Sequence, residues 1–379
     1  MSRLILATVI AVILGACANP DNSEPPAPLQ KFDAQLQVLS VWRAKVSSHV
    51  NLFSFNLQPY IFGEQVFVID HKGNLSALSQ KNGSVNWRKQ LRVDVSAAIT
   101  GDQNKLYIGT KEGELLALSM LDGSVAWRAK MTSEIIAIPK VHAGELAARS
   151  IDGRVSLFSV DDGNEKWTYS FSVPALTLRG NSSISFTDKS VIVGLDNGRL
   201  VALDTSTGVP QWDIVLSEPT GRTEFERLSD IDAEIHVDEG EVFASAFQGQ
   251  IARISPNLGR IVWAQDLSSV AGFSLTDDAL FVTDTNSELA SLDKTNGQRF
   301  WTNSQLRARH LTAPVVFGDY IAVGDLQGYV HWLSRFSGKL VARYRIDKSR
   351  IISALAVSDQ ILFVQTEYGS ISALKILEI

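Results

Sequence analysis

Cysteine is almost missing from this chain: its 379 residues contain one, Cys17. A lone thiol excludes an internal disulfide framework, so the fold must be stabilised by its core. Positive charge is also in deficit. There are 35 Lys and Arg against 41 Asp and Glu, for a formal net charge of −6, and no basic run offsets the balance. That argues against a general phosphate-binding surface, because nucleic-acid binders usually carry a basic stripe. Long apolar runs are absent beyond residues 4–14, which excludes a multi-span membrane protein. With 45% hydrophobic and 20% charged residues, the composition is that of an ordinary globular protein, neither disordered nor collagen-like.

The one apolar run has a meaning of its own. Residues 1–3 are a short positively charged segment, residues 4–14 are too few to span stably, and together they read as a secretory signal. The run ends in Leu14-Gly15-Ala16-Cys17, which resembles a bacterial lipobox. Residues 1–16 are therefore expected to be removed and Cys17 to carry the lipid. Loss of Arg3 takes the formal charge to 34 − 41 = −7. Several acyl chains, at about 0.8 kcal/mol per buried CH₂, anchor far more firmly than one. Ala18, rather than Asp, follows the cysteine; by resemblance to bacterial sorting rules this favours the outer membrane. Residues 19–28 are polar and Pro-rich, so residues 17–34 are expected to be a tether and residues 35–379 the folded domain.

Within that domain one pattern recurs. EGELLALSMLDGSVAW (112–127) is echoed at 72–87, 152–167, 197–212, 248–263, 286–301 and 327–342, and in part at 368–379. The interval from the first glycine position to the tryptophan is 14 residues in each full copy, although Ser287 replaces one glycine and Ala342 one tryptophan. The copies begin 38 to 51 residues apart. Each contains a β-rich segment, a tight Asp-Gly or related turn, and a second β segment carrying the tryptophan. Upstream runs such as KLYIGT (105–110) and VSAAIT (95–100) supply two more expected strands. Four antiparallel strands repeated radially make a β-propeller blade. The eighth copy stops at the chain end without an outer strand, and LQVLSVWRAK (36–45), with Trp42, can supply it. The expectation is an all-β, eight-bladed propeller of four-stranded antiparallel blades, its ring closed by N- and C-terminal strands in one blade. That closure removes open sheet edges.

The repeat resembles the pyrroloquinoline quinone dehydrogenase family, with Ala202-Leu203-Asp204 through Gly208 to Trp212 the best match. In that family the resemblance would imply a cofactor at the ring centre, a cysteine pair and calcium. The single cysteine, assigned to the anchor, argues against such an enzyme. No phosphate loop, nucleophile elbow or H-E-x-x-H appears. His49, His71, His142, His236, His310 and His331 lack metal-ligand spacing. Asp230-Ile231-Asp232-Ala233-Glu234 reads as carboxylates along one strand face, a solvated rim or a cation site. No catalytic residue, metal or cofactor is expected.

Function should then sit where the copies differ. Most tryptophan-to-glycine intervals are 24 to 27 residues, but Trp42 to Gly73 and Trp167 to Gly198 are 31, and Trp212 to Gly249 is 37. The last two are consecutive, so their connections lie side by side on one face. They present Leu176, Leu178 and Arg179, then Asp230 and Asp232: an apolar pair beside an arginine, next to acid, as in protein-contact hot spots. Leu176 and Leu178 could equally begin an inner strand and be core.

Lipobox, Pro-rich segment, eight blades, LTLRGNSS (176–183), RLSDID (227–232) and GDLQGYVHWL (324–333) together resemble the propeller lipoprotein family of the bacterial outer-membrane β-barrel assembly machinery. The resemblance implies a non-enzymatic scaffold, outer-membrane anchored and facing the periplasm, that docks on the POTRA region of the barrel insertase BamA. Leu176, Leu178, Arg179, Asp230 and Asp232 would form part of that surface, and unfolded outer-membrane protein precursors would be further partners. A ligand- or polymer-binding propeller using its central funnel, or a degenerate quinone enzyme, remain alternative readings.

Overall fold

A computed structural model describes residues 24–46, 57–174, 176, 184–218, 222–223, 228–231, 233–351 and 353–379. Its strands form eight four-stranded antiparallel sheets, arranged as the blades of a propeller. Blades I to VII are consecutive, each running from an inner to an outer strand. Blade I begins at Tyr60–Phe62 and blade VII ends at Leu340–Arg345. Blade VIII takes its three inner strands from Ala356–Ser358, Ile361–Gln365 and Ser370–Glu378, and its outer strand, Leu36–Lys45, from the other end of the chain. The two ends pair from Leu36 opposite Glu378 to Lys45 opposite Ser370. The ring is closed as the repeat count required.

Why these residues fold this way follows from their burial. The second and third strands are apolar nearly throughout and are buried on both faces, as in Gln65–Ile69 and Asn74–Ser79 of blade I, because a neighbouring blade packs on each side. The outer strands, such as Val85–Gln90, are mostly exposed and carry charge. One expected strand is shorter than its sequence suggested. Of VSAAIT only Thr100 joins the inner strand of blade II, Thr100–Gly101, while Val95 makes an isolated bridge to Thr110. Ala97, Ala98 and Ile99 are buried as the packed lead-in to the blade.

The tryptophans are joints between blades. Each pairs across its own sheet with a third-strand residue, Trp127 with Ala117 for example. A register shift follows between Ala117 and Leu118, and such a bulge re-aims the outer-strand side chain. The indole then lies over the turn glycine of the next blade. An added Cβ on Gly163 would stand 2.6 Å from the Trp127 ring, and on Gly208 2.7 Å from that of Trp167. Each indole N–H also donates to a carbonyl in that turn: Trp42 to Gln80 at 2.7 Å, Trp87 to Met120 at 3.1 Å, Trp127 to Val160 at 2.9 Å and Trp167 to Thr205 at 2.8 Å. Trp212, Trp263 and Trp301 do the same to Pro256, Lys294 and Arg335. These seven joints meet the requirement that a buried indole nitrogen find a partner.

The eighth joint is built differently. Between blades VII and VIII there is no turn glycine to cover, since the outer strand of blade VIII comes from the N-terminal segment. Ala342 stands at the tryptophan position there and pairs with Trp332, which occupies the position held by alanine in four of the other blades. Trp332 is fully buried among Leu36, Val341, Leu362 and Leu374, filling the wedge from inside.

The folded boundary also lies outside the first strand. The expected tether is in contact with blades VI and VII from Glu24 onward. Leu29 and Phe32 pack on Leu289, Leu306, Leu311 and Leu340, and the Gln35 N–H donates to the Val341 carbonyl at 2.9 Å.

Candidate docking surface

In a blade of four antiparallel strands, the loop between strands two and three and the connection to the next blade emerge at one end. The other two turns emerge at the opposite end. The two long connections, 171–183 and 216–235, therefore open on the same face of the ring, on either side of blade IV.

The base of the first connection is rigid. Phe171 stacks obliquely on Tyr169 with ring centroids 4.9 Å apart, and its N–H donates to the Gly153 carbonyl at 2.9 Å. Beneath it runs a buried ion pair between blades III and IV. Arg149, 1% exposed, donates from Nη2 to Asp196 at 2.8 Å and from Nη1 to the Gly194 carbonyl at 2.9 Å. A buried pair is stable only with such extra hydrogen bonds, and removing one partner strands the other charge. Beyond the base, Val173 and Leu176 are 36% and 45% exposed. Leu176 is therefore surface, not core. Leu178 and Arg179 lie outside the described residues.

The second connection is held along both ends. The Leu216 and Ser217 N–H groups donate to the Gly198 carbonyl at 2.8 and 3.2 Å, and the Ser217 hydroxyl donates to the Gln248 carbonyl at 3.1 Å. Further on, the chain enters the wedge between blades IV and V. The Ile231 N–H donates to the Leu195 carbonyl at 3.2 Å, and the Asp230 carbonyl accepts from Phe247 at 2.9 Å. Ile231 closes on Gly194, where a Cβ would come within 2.6 Å of its side chain. This changes the reading of DIDAE (230–234). It is not part of a strand, which begins at His236, and its residues do not share one solvated rim. Asp230, Ile231 and Ala233 are buried, because the wedge between blades leaves no room for solvent. Asp232 and Cys17 lie outside the described residues.

Glu234 reaches back across blade IV to an ion pair with Lys140 on the inner strand of blade III. Burial pushes the Glu234 carboxyl up, but the charges of Lys140 and His236 outweigh it and hold the group below the usual carboxylate range. His236 packs on Phe273 with centroids 4.8 Å apart, and burial lowers its pKa. These contacts tie the end of the second connection to blades III and VI. Among the described residues, the first connection therefore exposes Leu176 above a base fixed by hydrogen bonds, and the second is anchored at both its ends. No group of three or more metal-capable side chains occurs among the described residues.

Sequence reasoning missed a second cluster, on blade VII. Asp325 is fully buried and accepts from Arg309 Nε at 2.8 Å and from His331 Nε2 at 2.9 Å. Arg343 Nε donates to His331 Nδ1 at 3.2 Å, so the ring is the neutral tautomer with its proton on Nε2. Burial raises the Asp325 carboxyl, yet His331 and the N–H donors of Tyr329 and Arg309 bring it below its ordinary value. Burial lowers the His331 pKa more than Asp325 raises it. The signal was the GDLQGYVHWL run, in which Asp325 and His331 stand six residues apart, but spacing could not reveal that Arg309 joins them.

Comparison with known proteins agrees with the architecture. The family model described as outer membrane protein assembly factor BamB matches residues 71–303. A protein of that description from Pseudomonas aeruginosa is 41% identical over 347 residues, covering 92% of this chain and 91% of its own length. Another, from Yersinia pestis, is 31% identical over 384 residues and covers 98% of both chains. The crystal structure of BamB from Moraxella catarrhalis superposes with a TM-score of 0.81 at 25% identity, covering 89% of this chain and all of that one.

Proposed function

The chain belongs to the BamB family of outer membrane protein assembly factors, and from that membership we propose how its surface performs the family's work. It is a non-enzymatic scaffold lipoprotein of the outer membrane that aids assembly of outer-membrane proteins within the Bam complex, as a partner of the insertase BamA.

The docking surface for the periplasmic POTRA region of BamA is the pair of connections flanking blade IV, with Leu176, Leu178, Arg179 and Asp232 as contact residues and Asp230 as a support. The observation that supports this reading is the contrast between tip and base. Leu176 is 45% exposed, while Asp230 and Ile231 are locked in the wedge below. An exposed aliphatic group with an arginine three residues along the chain combines apolar area with a planar multidentate donor, residue types enriched at binding hot spots. A rigid base means little ordering entropy is lost on association. Asp230 contributes by holding the second connection in place. Cys17 is the acylated residue, and residues 1–16 are the cleaved signal.

The test is capture of BamA by tagged protein carrying Arg179→Glu, with unfolding measured alongside. Capture reduced at least tenfold with stability intact is the expected result. Unchanged capture would overturn the assignment of this surface. For the anchor, Cys17→Ser should move the protein to the soluble periplasm in cells lacking BamA contacts. Retention at the membrane would overturn Cys17 as the lipid site.

A further inference from the structure

The segment after the anchor is strapped to the propeller, and the strap decides where the lipid leaves the molecule. From Gln35 the chain runs back along the outer edge of blade VII. The Gln30 carbonyl accepts from Arg343 Nη1 at 3.2 Å, and the Arg343 guanidinium lies 5.0 Å from the centroid of the Phe32 ring. Farther back, the Ala27 carbonyl accepts from Arg309 Nη1 at 2.9 Å, and the Ala27 N–H donates to the Arg307 carbonyl at 2.9 Å. Glu24 then pairs with Arg307 at 2.8 Å. Arg309 is itself 2% exposed and fixed by Asp325 and Gln327, so the strap is tied to the interior of blade VII.

Arg307 and Arg309 belong to the connection from blade VI to blade VII. The strap therefore ends on the face that bears the two long connections, at a joint two positions round the ring from that between blades IV and V. Only the short stretch 17–23 separates the lipid from Glu24. Fully extended, it reaches about 25 Å. Next to this exit, the end of the outer strand of blade VII and the connection to blade VIII expose Arg345, Lys348 and Arg350. Arg345 Nε donates to the Gln327 carbonyl at 3.1 Å, and Gln327 is also held by Arg309, so this basic edge is continuous with the strap. Of the acids nearby, Asp347 pairs with Arg43 at 2.9 Å, and Glu24 and Glu288 with Arg307; Glu367, whose N–H donates to the Arg350 carbonyl at 2.9 Å, sets one carboxylate against the three cations.

We propose that the basic edge of blade VII, beside the strap exit, rests on the anionic phospholipid headgroups of the membrane that holds the lipid. Cationic side chains are attracted to such a surface within about a Debye length of it, and the short leash keeps the edge within reach. The end of blade VII on the face that bears the long connections is then held toward the membrane, and its opposite end away from it. This inference rests on acylation of the N-terminal segment.

The experiment uses full-length acylated protein on phosphatidylethanolamine and phosphatidylglycerol vesicles containing a headgroup-labelled acceptor lipid. A donor dye is placed at Gln305→Cys, on the connection from blade VI to blade VII, or at Ser337→Cys, at the opposite end of blade VII. Energy transfer several-fold greater from 305 than from 337 is expected. The contrast should collapse in Leu29→Ser/Phe32→Ser, which removes the strap's apolar contacts, with unfolding measured alongside to show that the propeller stays folded. It should fall at least twofold in Lys348→Glu/Arg350→Glu. Equal transfer from the two positions, or a contrast untouched by Lys348→Glu/Arg350→Glu, would overturn the proposal. Protein that does not stay on the vesicles would instead overturn the anchor on which it rests.

Discussion

Trp127 and Gly163 belong to adjacent blades, and the indole of one covers the backbone of the other so closely that a Cβ at 163 would lie 2.6 Å from the ring. The same indole donates to the Val160 carbonyl at 2.9 Å. The glycine is required twice, once by this approach and once by its φ of +74°, a left-handed conformation that costs other residues about 1–2 kcal/mol.

These two requirements can be separated. Gly144 has a φ of +82° but nothing within 4 Å of an added Cβ. Gly144→Ala should therefore cost only the backbone term of about 1–2 kcal/mol. Gly163→Ala should add about 1–3 kcal/mol for overpacking and shift tryptophan fluorescence, which Gly144→Ala should not. Urea unfolding with emission spectra checks both. Equal destabilisation would refute the joint.

Blade VII offers a double-mutant cycle. Trp332→Ala should cost about 3–5 kcal/mol, and Ala342→Trp about 1–3 kcal/mol because Trp332 already fills the space. Since the pair face each other across the sheet, the double variant should be less destabilised than the sum by at least about 1 kcal/mol. Additive losses would show that the two positions do not share one volume.

His331 should make stability depend on pH. Its folded pKa is depressed, so the unfolded chain takes up a proton first as pH falls. The associated stability is complete above about pH 6.5 and declines below it, by about 1.4 kcal/mol at pH 5.5 if the folded ring is still neutral there. His331→Gln can keep a donor to Asp325 and an acceptor for Arg343 without titrating. It should match the wild type within about 1 kcal/mol at pH 7.5 and lose less on acidification. Parallel pH profiles in chemical denaturation would sink this assignment. The depressed Asp325 carboxyl acts in a separate window, below about pH 4.

The two connections flanking blade IV should answer differently to mutation. Leu176→Glu, at an exposed tip, should weaken capture of BamA about tenfold and leave unfolding unchanged. Asp230→Ala, at a fully buried position, should lower stability by about 1–3 kcal/mol as well as capture. Calorimetry beside co-purification distinguishes them. A destabilised Leu176→Glu would mean that the side chain is part of the core.

The repeat made most of the architecture legible. A 14-residue interval between glycine and tryptophan reflects one turn and one strand pairing, both local, so blade number, strand order and ring closure by Trp42 could be counted along the chain. Loop length likewise marked the connections after Trp167 and Trp212 as exceptions. What lay beyond sequence were contacts made by distant segments. Asp230 and Glu234 looked equivalent four residues apart, yet one is sealed in the wedge between blades IV and V while the other meets Lys140. A Pro-rich stretch looked like free tether, yet Leu29 and Phe32 find an apolar seat only after blades VI and VII have come together. Local spacing determined the ring; burial and ion pairing, which depend on which blades end up side by side, were decided by the tertiary structure alone.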